Sequence, residues 1–201
     1  MKRYKIALFD LDGTLRQTKS GKPFINEPFD QQPIGTNLMK MQALRKEGYL
    51  TAGITNQGGV LHGHKSIQAC MMEQLHSLAM LKPDLLLFCP DEGYTCFELD
   101  PYRSKDGIFR HLSAFPVFRK PQPMMLFHAI EVLTARQVGC TQGHKIEMNK
   151  TGQMVSANYK DIDYKYFDDL FYCGDRPEDR QAADVAGIKF VDAKDLQFYG
   201  T

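Results

Sequence analysis

The chain of 201 residues is long enough for one domain with a full hydrophobic core, or for one domain that carries an insertion. Its 25 basic and 24 acidic residues give a formal net charge of +1, so overall charge gives no support to a nucleic-acid or membrane-surface role, although it does not exclude a local basic rim. The five cysteines include no CxxC pair and are typical of free thiols in a reducing compartment. No signal peptide or membrane-spanning run is visible, so we expect a cytoplasmic protein with no membrane partner.

Residues 6–15, IALFDLDGTL, carry the first candidate site. The apolar run predicts a buried parallel strand, and it stops at two carboxylates, Asp10 and Asp12, followed by Gly13. Ligands bind at the carboxyl ends of strands in open α/β sheets. Two carboxylates this close repel each other, so a strand end that carries both favours a bound cation or a proton. An ordinary Asp-Gly turn is the alternative interpretation.

Strand and helix patterns alternate after this stretch. Residues 16–32 are polar and rich in turn formers, which predicts a hairpin flap above the first strand end. Residues 35–48 have helical periodicity, and residues 49–54 return to strand character. A strand, a helix and a second strand at this spacing predict a βαβ unit.

The remaining pattern continues this alternation, with two interruptions. Residues 89–118 are predicted to be a long and mostly irregular segment, and residues 139–161 an insertion with a short hairpin. The predicted elements are, in order, a helix capped by Ser66 and running to about Leu81, a strand over 84–89, a helix over 123–138, a strand over 170–173, a helix from Pro177 to Gly187 and a strand over 188–191.

Polar residues at three strand ends suit one kind of chemistry. Asp10 and Asp12 follow the first strand, Thr55 follows the second and Asp175 the fourth, while Lys120 precedes a helix. In a parallel sheet these ends share one edge, so residues far apart in sequence converge there. The charge of a phosphomonoester must be neutralised before a carboxylate approaches it, and Mg²⁺, a lysine and a threonine hydroxyl meet that need. The sequence therefore favours phosphoryl transfer.

Four motifs together resemble those of the haloacid dehalogenase-like (HAD) phosphohydrolases. Asp10-x-Asp12-Gly-Thr-Leu, the Thr55 strand end, Lys120-Pro and Gly174-Asp175-x-x-x-Asp179 match the motifs of that superfamily in order, from residue 6 to about residue 191. The pair Thr55-Asn-Gln and Arg119-Lys-Pro is most similar to the branch of histidinol-phosphate, heptose-bisphosphate and polynucleotide 3′-phosphatases. The resemblance implies an α/β fold with a doubly wound, Rossmann-like parallel sheet, no large cap, and one domain over residues 1–201.

The resemblance also implies a role for each acidic residue of the motifs. Asp10 is expected to attack phosphorus and carry an aspartyl-phosphate, and Asp12 to act as general acid and then general base. The side chains of Asp10 and Asp175 and the backbone carbonyl of Asp12 are the expected Mg²⁺ ligands, with Asp179 supporting them directly or through water. For Asp175 and Asp179 a mere preference for a helix N-terminus is the alternative.

The expected phosphate-binding residues are Thr55 and Lys120, with Asn56 and Arg119 nearer to the rest of the substrate. The alternatives are that Thr55-Asn-Gln forms only a turn and that Arg119 is only a solvated surface charge. A structural zinc ion is not expected. Some bacterial members of the branch carry a four-ligand zinc loop, but here only Cys89 matches, because Asp91, Pro116 and Phe118 stand at the other ligand positions.

We therefore predict a Mg²⁺-dependent phosphomonoester hydrolase whose substrate is a small phosphorylated metabolite. A polynucleotide 3′-phosphatase and a non-catalytic phospho-ligand-binding protein are the alternatives. Substrate discrimination is predicted to lie in the flap, in residues 89–118 and in residues 139–161, because the motifs grip a group that every phosphomonoester shares. The cations that are candidates for meeting a second anionic group are Arg16, Lys19, Lys22, Arg103, Lys105 and Arg110.

Overall fold

A computed structural model describes residues 3–102, 109–113, 117–138, 147–148, 154–156 and 164–200. The strands are β1 (Tyr4–Phe9), β2 (Arg16–Gln17), β3 (Gln32–Pro33), β4 (Leu50–Asn56), β5 (Leu85–Cys89), β6 (Thr95–Leu99), β7 (Phe109–Ser113), β8 (Glu147–Met148), β9 (Met154–Ser156), β10 (Phe167–Gly174) and β11 (Lys189–Asp192). The helices are α1 (Gly35–Lys46), α2 (Gly58–Leu61), α3 (Ile67–Leu81), α4 (Met124–Val138) and α5 (Pro177–Ala186), with 3₁₀ turns at Tyr164–Tyr166 and Leu196–Phe198.

Seven strands form one sheet in the order β11-β10-β1-β4-β5-β6-β7. The strands from β11 to β5 are parallel, and the chain builds outward from β1 in both directions. The predicted doubly wound α/β sheet is therefore confirmed. The order reverses between β1 and β10, which is the place where open α/β sheets bind ligands. The strand ends that carry Asp10 and Asp175 lie side by side at that point.

Apolar side chains cover both faces of the sheet, as expected for parallel strands between two helical layers. Ile6 and Leu8 of β1 pack into a core that includes α4 and α5. Ala7 and Phe9 point the opposite way, into a core that includes α1, α3 and the last 3₁₀ turn. The motif strand is thus fixed from both sides, which holds the residues at its end in place.

Local signals in the sequence set several helix ends as predicted. The Ser66 hydroxyl accepts a hydrogen bond from the Ala69 N–H at 3.1 Å and caps α3. Pro177 begins α5, and Gly187 ends it in the left-handed conformation. The predicted flap is tied at its base by the antiparallel pair β2 and β3.

The prediction of a mostly irregular segment over residues 89–118 is wrong. Strands β6 and β7 lie within it and extend the sheet in antiparallel fashion. The polar Glu98 occupies a buried position of β6 and pairs with His128 of α4 at 2.5 Å, so the apolar alternation that marks a half-buried strand is broken.

The predicted hairpin within residues 139–161 is present as the antiparallel pair β8 and β9, while the other residues of that span lie outside the described part of the chain. Across the described residues, every helix is too short or too polar to traverse a bilayer.

Candidate active site

Three carboxylates converge where β1 and β10 end. Asp10 follows β1, Asp175 follows β10, and Asp179 lies in the first turn of α5. One oxygen from each lies within 4.8 Å of the others, and this is the only group of three or more potential metal ligands among the described residues. Asp10 and Asp179 are buried while Asp175 is exposed. The cluster therefore has one open side, toward solvent.

Two glycines allow the carboxylates to come this close. Gly13 has φ +90°, and a Cβ there would collide with the Asp175 carboxylate. A Cβ on Gly174 would lie 2.5 Å from Asp179. A larger residue at either position would push the acidic loops apart, so the glycines of the first and last motifs are a geometric requirement.

Lys120 reaches into the cluster from the loop before α4. Its Nζ donates to Asp10 Oδ1 at 2.5 Å, to Asp179 Oδ1 at 2.7 Å and to the Tyr172 hydroxyl oxygen at 3.0 Å. Burial opposes the charge of this amine, but Asp10 and Asp179 outweigh it and raise the pKa of Lys120 above its ordinary value. The charged form of Lys120 is thus stabilised inside the acidic cluster by the two carboxylates that it contacts.

Asp10 keeps one oxygen without a partner. Its Oδ2 is buried and accepts no hydrogen bond from any residue that the structure describes. Burial raises the pKa of Asp10 to about 7 although Lys120 acts in the opposite direction. A buried, unpaired carboxylate oxygen beside two further carboxylates matches the all-oxygen ligand set that Mg²⁺ prefers, so the residues present fit such an ion.

Asp179 has a second function at this point. Its Oδ2 accepts a hydrogen bond from the Arg176 N–H at 3.1 Å and caps α5, and its Oδ1 accepts from Tyr172 at 2.8 Å. The Asp179 side chain therefore caps α5 and is also part of the acidic cluster.

Asp12 lies beside the cluster and is held by four hydrogen bonds. Arg16 donates from Nε to Oδ1 at 2.8 Å and from Nη2 to Oδ2 at 3.1 Å. Thr55 and Gln57 also donate to Oδ2, at 3.1 and 3.0 Å. Burial opposes ionisation of Asp12, but the Arg16 guanidinium outweighs it and lowers the pKa of the carboxyl group.

The expectation that Arg16 could meet an anionic group of the substrate is wrong. Its side chain has 0% exposure and is paired with Asp12 and with Glu73, Nη2 to Oε1 at 2.8 Å. The loop after β1 turns back on itself, since the N–H of Arg16 bonds to the Leu11 carbonyl at 2.9 Å, and this brings residue 16 beneath residue 12.

Sequence reasoning missed Gln57, Lys65 and Glu73, which complete the surroundings of Asp12. One signal was present. Glu73 shares the inward face of α3 with Cys70 and Ser77, so a charged residue occupied a position where the helical period requires burial. A buried charge of this kind needs a partner.

Asn56 and Arg119 have supporting contacts. The Asn56 side chain donates to the Lys120 carbonyl and accepts from the Lys120 N–H, both at 3.0 Å, which fixes the loop that carries the lysine. Arg119 donates to the Asp91 carbonyl at 3.2 Å and lines the cleft. Direct substrate contact by either residue stays a prediction.

The cluster opens into a cleft of about 900 Å³ between the flap and α2. Several basic side chains line this cleft. Phe24, an apolar residue of the flap, also lines it and is 64% exposed. The basic residues that line it outside the acidic cluster include Lys19, Lys22, Arg119 and Arg176. Nothing in the described residues closes the cleft from above as a separate domain would.

A doubly wound sheet with this acidic cluster and lysine at its switch point defines a HAD-like phosphatase, which confirms the resemblance found in the sequence. A family model described as polynucleotide kinase 3 phosphatase matches residues 5–199, and the chain belongs to this family. It is therefore a phosphatase, and its substrate carries a phosphoryl group.

Two solved structures share the fold. One is a D,D-heptose 1.7-bisphosphate phosphatase from B. bronchiseptica complexed with magnesium and phosphate, with 19% identity, a TM-score of 0.50, and coverage of 92% of this chain and 78% of that chain. The other, from Mesorhizobium loti, is described as a HAD-like phosphatase, with 18% identity, a TM-score of 0.53, and coverage of 94% of this chain and 71% of that chain.

Proposed function

We propose that the protein hydrolyses phosphomonoesters in two steps, with Asp10 as the nucleophile and Mg²⁺ as the required ion. The observation that carries this proposal is the buried, unpaired Oδ2 of Asp10. The carboxylate of Asp10 has one oxygen within 4.8 Å of oxygens of Asp175 and Asp179, and its Oδ1 accepts a hydrogen bond from Lys120. The magnesium in the B. bronchiseptica structure supports the choice of ion. When bound, the ion would supply positive charge that lets an anionic carboxylate approach an anionic phosphoryl group.

The residues of the chain divide the reaction between them. The Asp10 carboxylate forms a bond to phosphorus while the bond from phosphorus to the leaving oxygen breaks, and Asp12 gives that oxygen a proton. In the second step Asp12 takes a proton from water, the water oxygen attacks phosphorus, and Asp10 is released. Lys120 binds the phosphoryl oxygens, whose charge shifts in both transition states. Thr55 lines the cleft at the same strand edge and is the expected second donor, with its hydroxyl turning from Asp12 Oδ2 to the phosphoryl group when substrate binds.

For the substrate, one observation favours the end of a polynucleotide over a small metabolite. The family model that matches residues 5–199 is described as polynucleotide kinase 3 phosphatase. The open cleft with Lys19, Lys22 and Arg119 on its walls is compatible with a phosphate backbone entering it. The metabolite predicted from the sequence is the competing class.

The catalytic proposal is tested with p-nitrophenyl phosphate. We expect turnover with Mg²⁺, loss of turnover with EDTA, and recovery when Mg²⁺ is added back without refolding. Asp10→Asn should abolish turnover while circular dichroism shows an intact fold. A folded Asp10→Asn protein with more than a few per cent of activity would refute Asp10 as nucleophile, and a protein without any turnover would favour the non-catalytic binding protein.

The substrate class is tested by comparing kcat/KM for one oligonucleotide carrying either a 3′- or a 5′-phosphate and for a panel of phosphorylated metabolites. A polynucleotide 3′-phosphatase should favour the 3′-phosphate over the matched 5′-phosphate. A metabolite with a higher kcat/KM than both oligonucleotides would return the assignment to the small-molecule class.

A further inference from the structure

A closed ring of side chains connects Asp12 to helix α3. Beyond the Arg16 contacts with Asp12 and Glu73, Lys65 pairs with Glu73 Oε2 and donates to Gln57 Oε1 at 2.7 Å. Gln57 closes the ring by donating to Asp12 Oδ2. The ring contains two carboxylates and two cations, so it is electrically balanced when all four are ionised.

The ring forms the deep wall of the cleft next to Asp12. The side chains of Arg16, Glu73 and Lys65 are 0%, 1% and 6% exposed, while that of Asp12 is 32% exposed. The remaining guanidinium nitrogen of Arg16 contacts Gln31 at 3.1 Å and also Ser77. Every nitrogen of this guanidinium therefore has a protein acceptor, which leaves none of them for a substrate.

The hydrogen bonds on Asp12 are distributed unequally. Among the described residues, Oδ2 accepts from Arg16, Thr55 and Gln57, whereas Oδ1 accepts only from Arg16 Nε. A carboxylate oxygen has about two lone-pair sites. Oδ2 is thus saturated, and Oδ1 is the oxygen with room for a proton.

We propose that Arg16, held by Glu73 and Lys65, is the positioning residue of the proton-transfer step, and that it presents Oδ1 of Asp12 to the leaving oxygen. The inference rests on the proposed function of Asp12 as general acid and base. A two-point guanidinium contact fixes the plane of a carboxyl group, which a single lysine contact does not. Proton transfer requires hydrogen-bond geometry between donor and acceptor, so loss of this plane should slow that step specifically.

A comparison of two substrates with different leaving groups distinguishes this positioning role of Arg16 from a purely structural one. p-Nitrophenolate departs without a proton, whereas the alkoxide of an alkyl phosphate needs one. The parameter kcat/KM covers the steps up to departure of the leaving group, so it is insensitive to the later hydrolysis of the intermediate, which both substrates share. The measurement is kcat/KM for p-nitrophenyl phosphate and for glycerol phosphate in the wild type and in Arg16 variants.

Arg16→Met should lower kcat/KM for the alkyl phosphate by about 100-fold, the order of general acid catalysis, and that for p-nitrophenyl phosphate by no more than about threefold. Arg16→Lys should fall between Arg16→Met and the wild type. Glu73→Gln, which keeps the shape of the side chain, should show the same substrate dependence to a smaller extent, and it serves if Arg16→Met does not fold. The matched control is Arg136→Met, which removes an arginine paired with Asp100 outside the cleft and should affect both substrates equally.

An equal loss for both substrates in the Arg16 and Glu73 variants, or no loss for either, would overturn the inference while the proposed function stands. Absence of turnover by the wild type with both substrates and with the 3′-phosphorylated oligonucleotide would instead refute the proposed function, and the inference with it.

Discussion

At the scale of single residues, Lys120 makes it possible for Asp10 and Asp179 to be buried together. Both carboxylates lie within 2.7 Å of its Nζ, and neither has more than 4% exposure. Two buried carboxylates without a cation would be costly, since an unpaired buried charge destabilises a fold by several kcal/mol. The lysine that is expected to bind the phosphoryl group therefore also stabilises the two buried carboxylates.

Replacing this lysine should affect both activity and stability. We expect Lys120→Met to lower kcat/KM by about 100- to 1,000-fold, the range for loss of one donor to transition-state charge. Without Mg²⁺ it should also lower the free energy of unfolding by about 3–5 kcal/mol, because Asp10 and Asp179 lose their cation.

Steady-state kinetics and thermal unfolding with and without Mg²⁺ measure the two effects of this substitution. Lys194→Met, which removes a 75% exposed lysine side chain, is the control and should change neither quantity. A Lys120→Met protein with half the activity of the wild type would contradict the assigned role.

The cysteines give a residue-scale prediction about pH. Burial raises the pKa of Cys70 and of Cys89 to about 12, and it raises the pKa of Cys96 and of Cys173 as well. A raised pKa keeps a thiol protonated, and the protonated form does not react. The fifth cysteine, Cys140, lies outside the described residues and is replaced by serine for this test. The native protein should then react slowly with a thiol reagent throughout pH 7–9, and rapidly in denaturant. Stoichiometric labelling of the native protein within seconds at pH 8 would contradict the buried positions.

At the scale of elements, the flap is the described candidate for substrate discrimination that lines the cleft. It is braced by its own contacts, since Asp30 accepts from the Ser20 N–H at 2.8 Å and Lys19 donates to the Phe29 carbonyl at 3.1 Å. It is also tied to the ring around Asp12, because Lys65 donates to the Ile25 carbonyl at 3.0 Å. The flap thus has a defined position beside the acidic cluster.

Removing the two flap lysines should lower activity selectively. We expect the double variant Lys19→Ala, Lys22→Ala to lose about tenfold in kcat/KM, or about 1.4 kcal/mol, on the best substrate of the screen. p-Nitrophenyl phosphate should change little, because it offers no second anionic group. Arg103, a further candidate from the sequence, lies outside the described residues and is left unchanged. Equal losses of kcat/KM on both substrates, or no loss on either, would contradict a role of the two flap lysines in substrate discrimination.

At the scale of the whole molecule, the sequence predicted the parallel sheet well because each strand is a short apolar run closed by polar residues. The strand ends at Asp10, Thr55 and Asp175 were predicted to converge, and they lie on neighbouring strands in the structure. Two of the features that were not predicted involve buried charge. Strand β6 was not predicted because Glu98 interrupts its apolar pattern, and Arg16 was predicted to be a surface cation.

The common reason is that a buried charge depends on partners far along the chain. Glu98 pairs with His128, 30 residues away, and Arg16 pairs with Glu73, 57 residues away. Local periodicity contains no information about such partners, so a charged residue is assigned to the surface by default. Motif spacing predicted the carboxylates and lysine, while the residues that orient them required the fold.

The most direct test of the central claim is to identify the residue that carries the phosphoryl group. An aspartyl-phosphate is an acyl phosphate, and borohydride reduces it to an alcohol, which converts aspartate into homoserine. The enzyme is mixed with substrate and Mg²⁺, quenched in acid, treated with borohydride and digested for mass spectrometry. We predict homoserine at position 10, dependent on substrate and absent from Asp10→Asn. Full turnover under the same conditions, with Asp10 unmodified and the label on another residue or on none, would contradict the account.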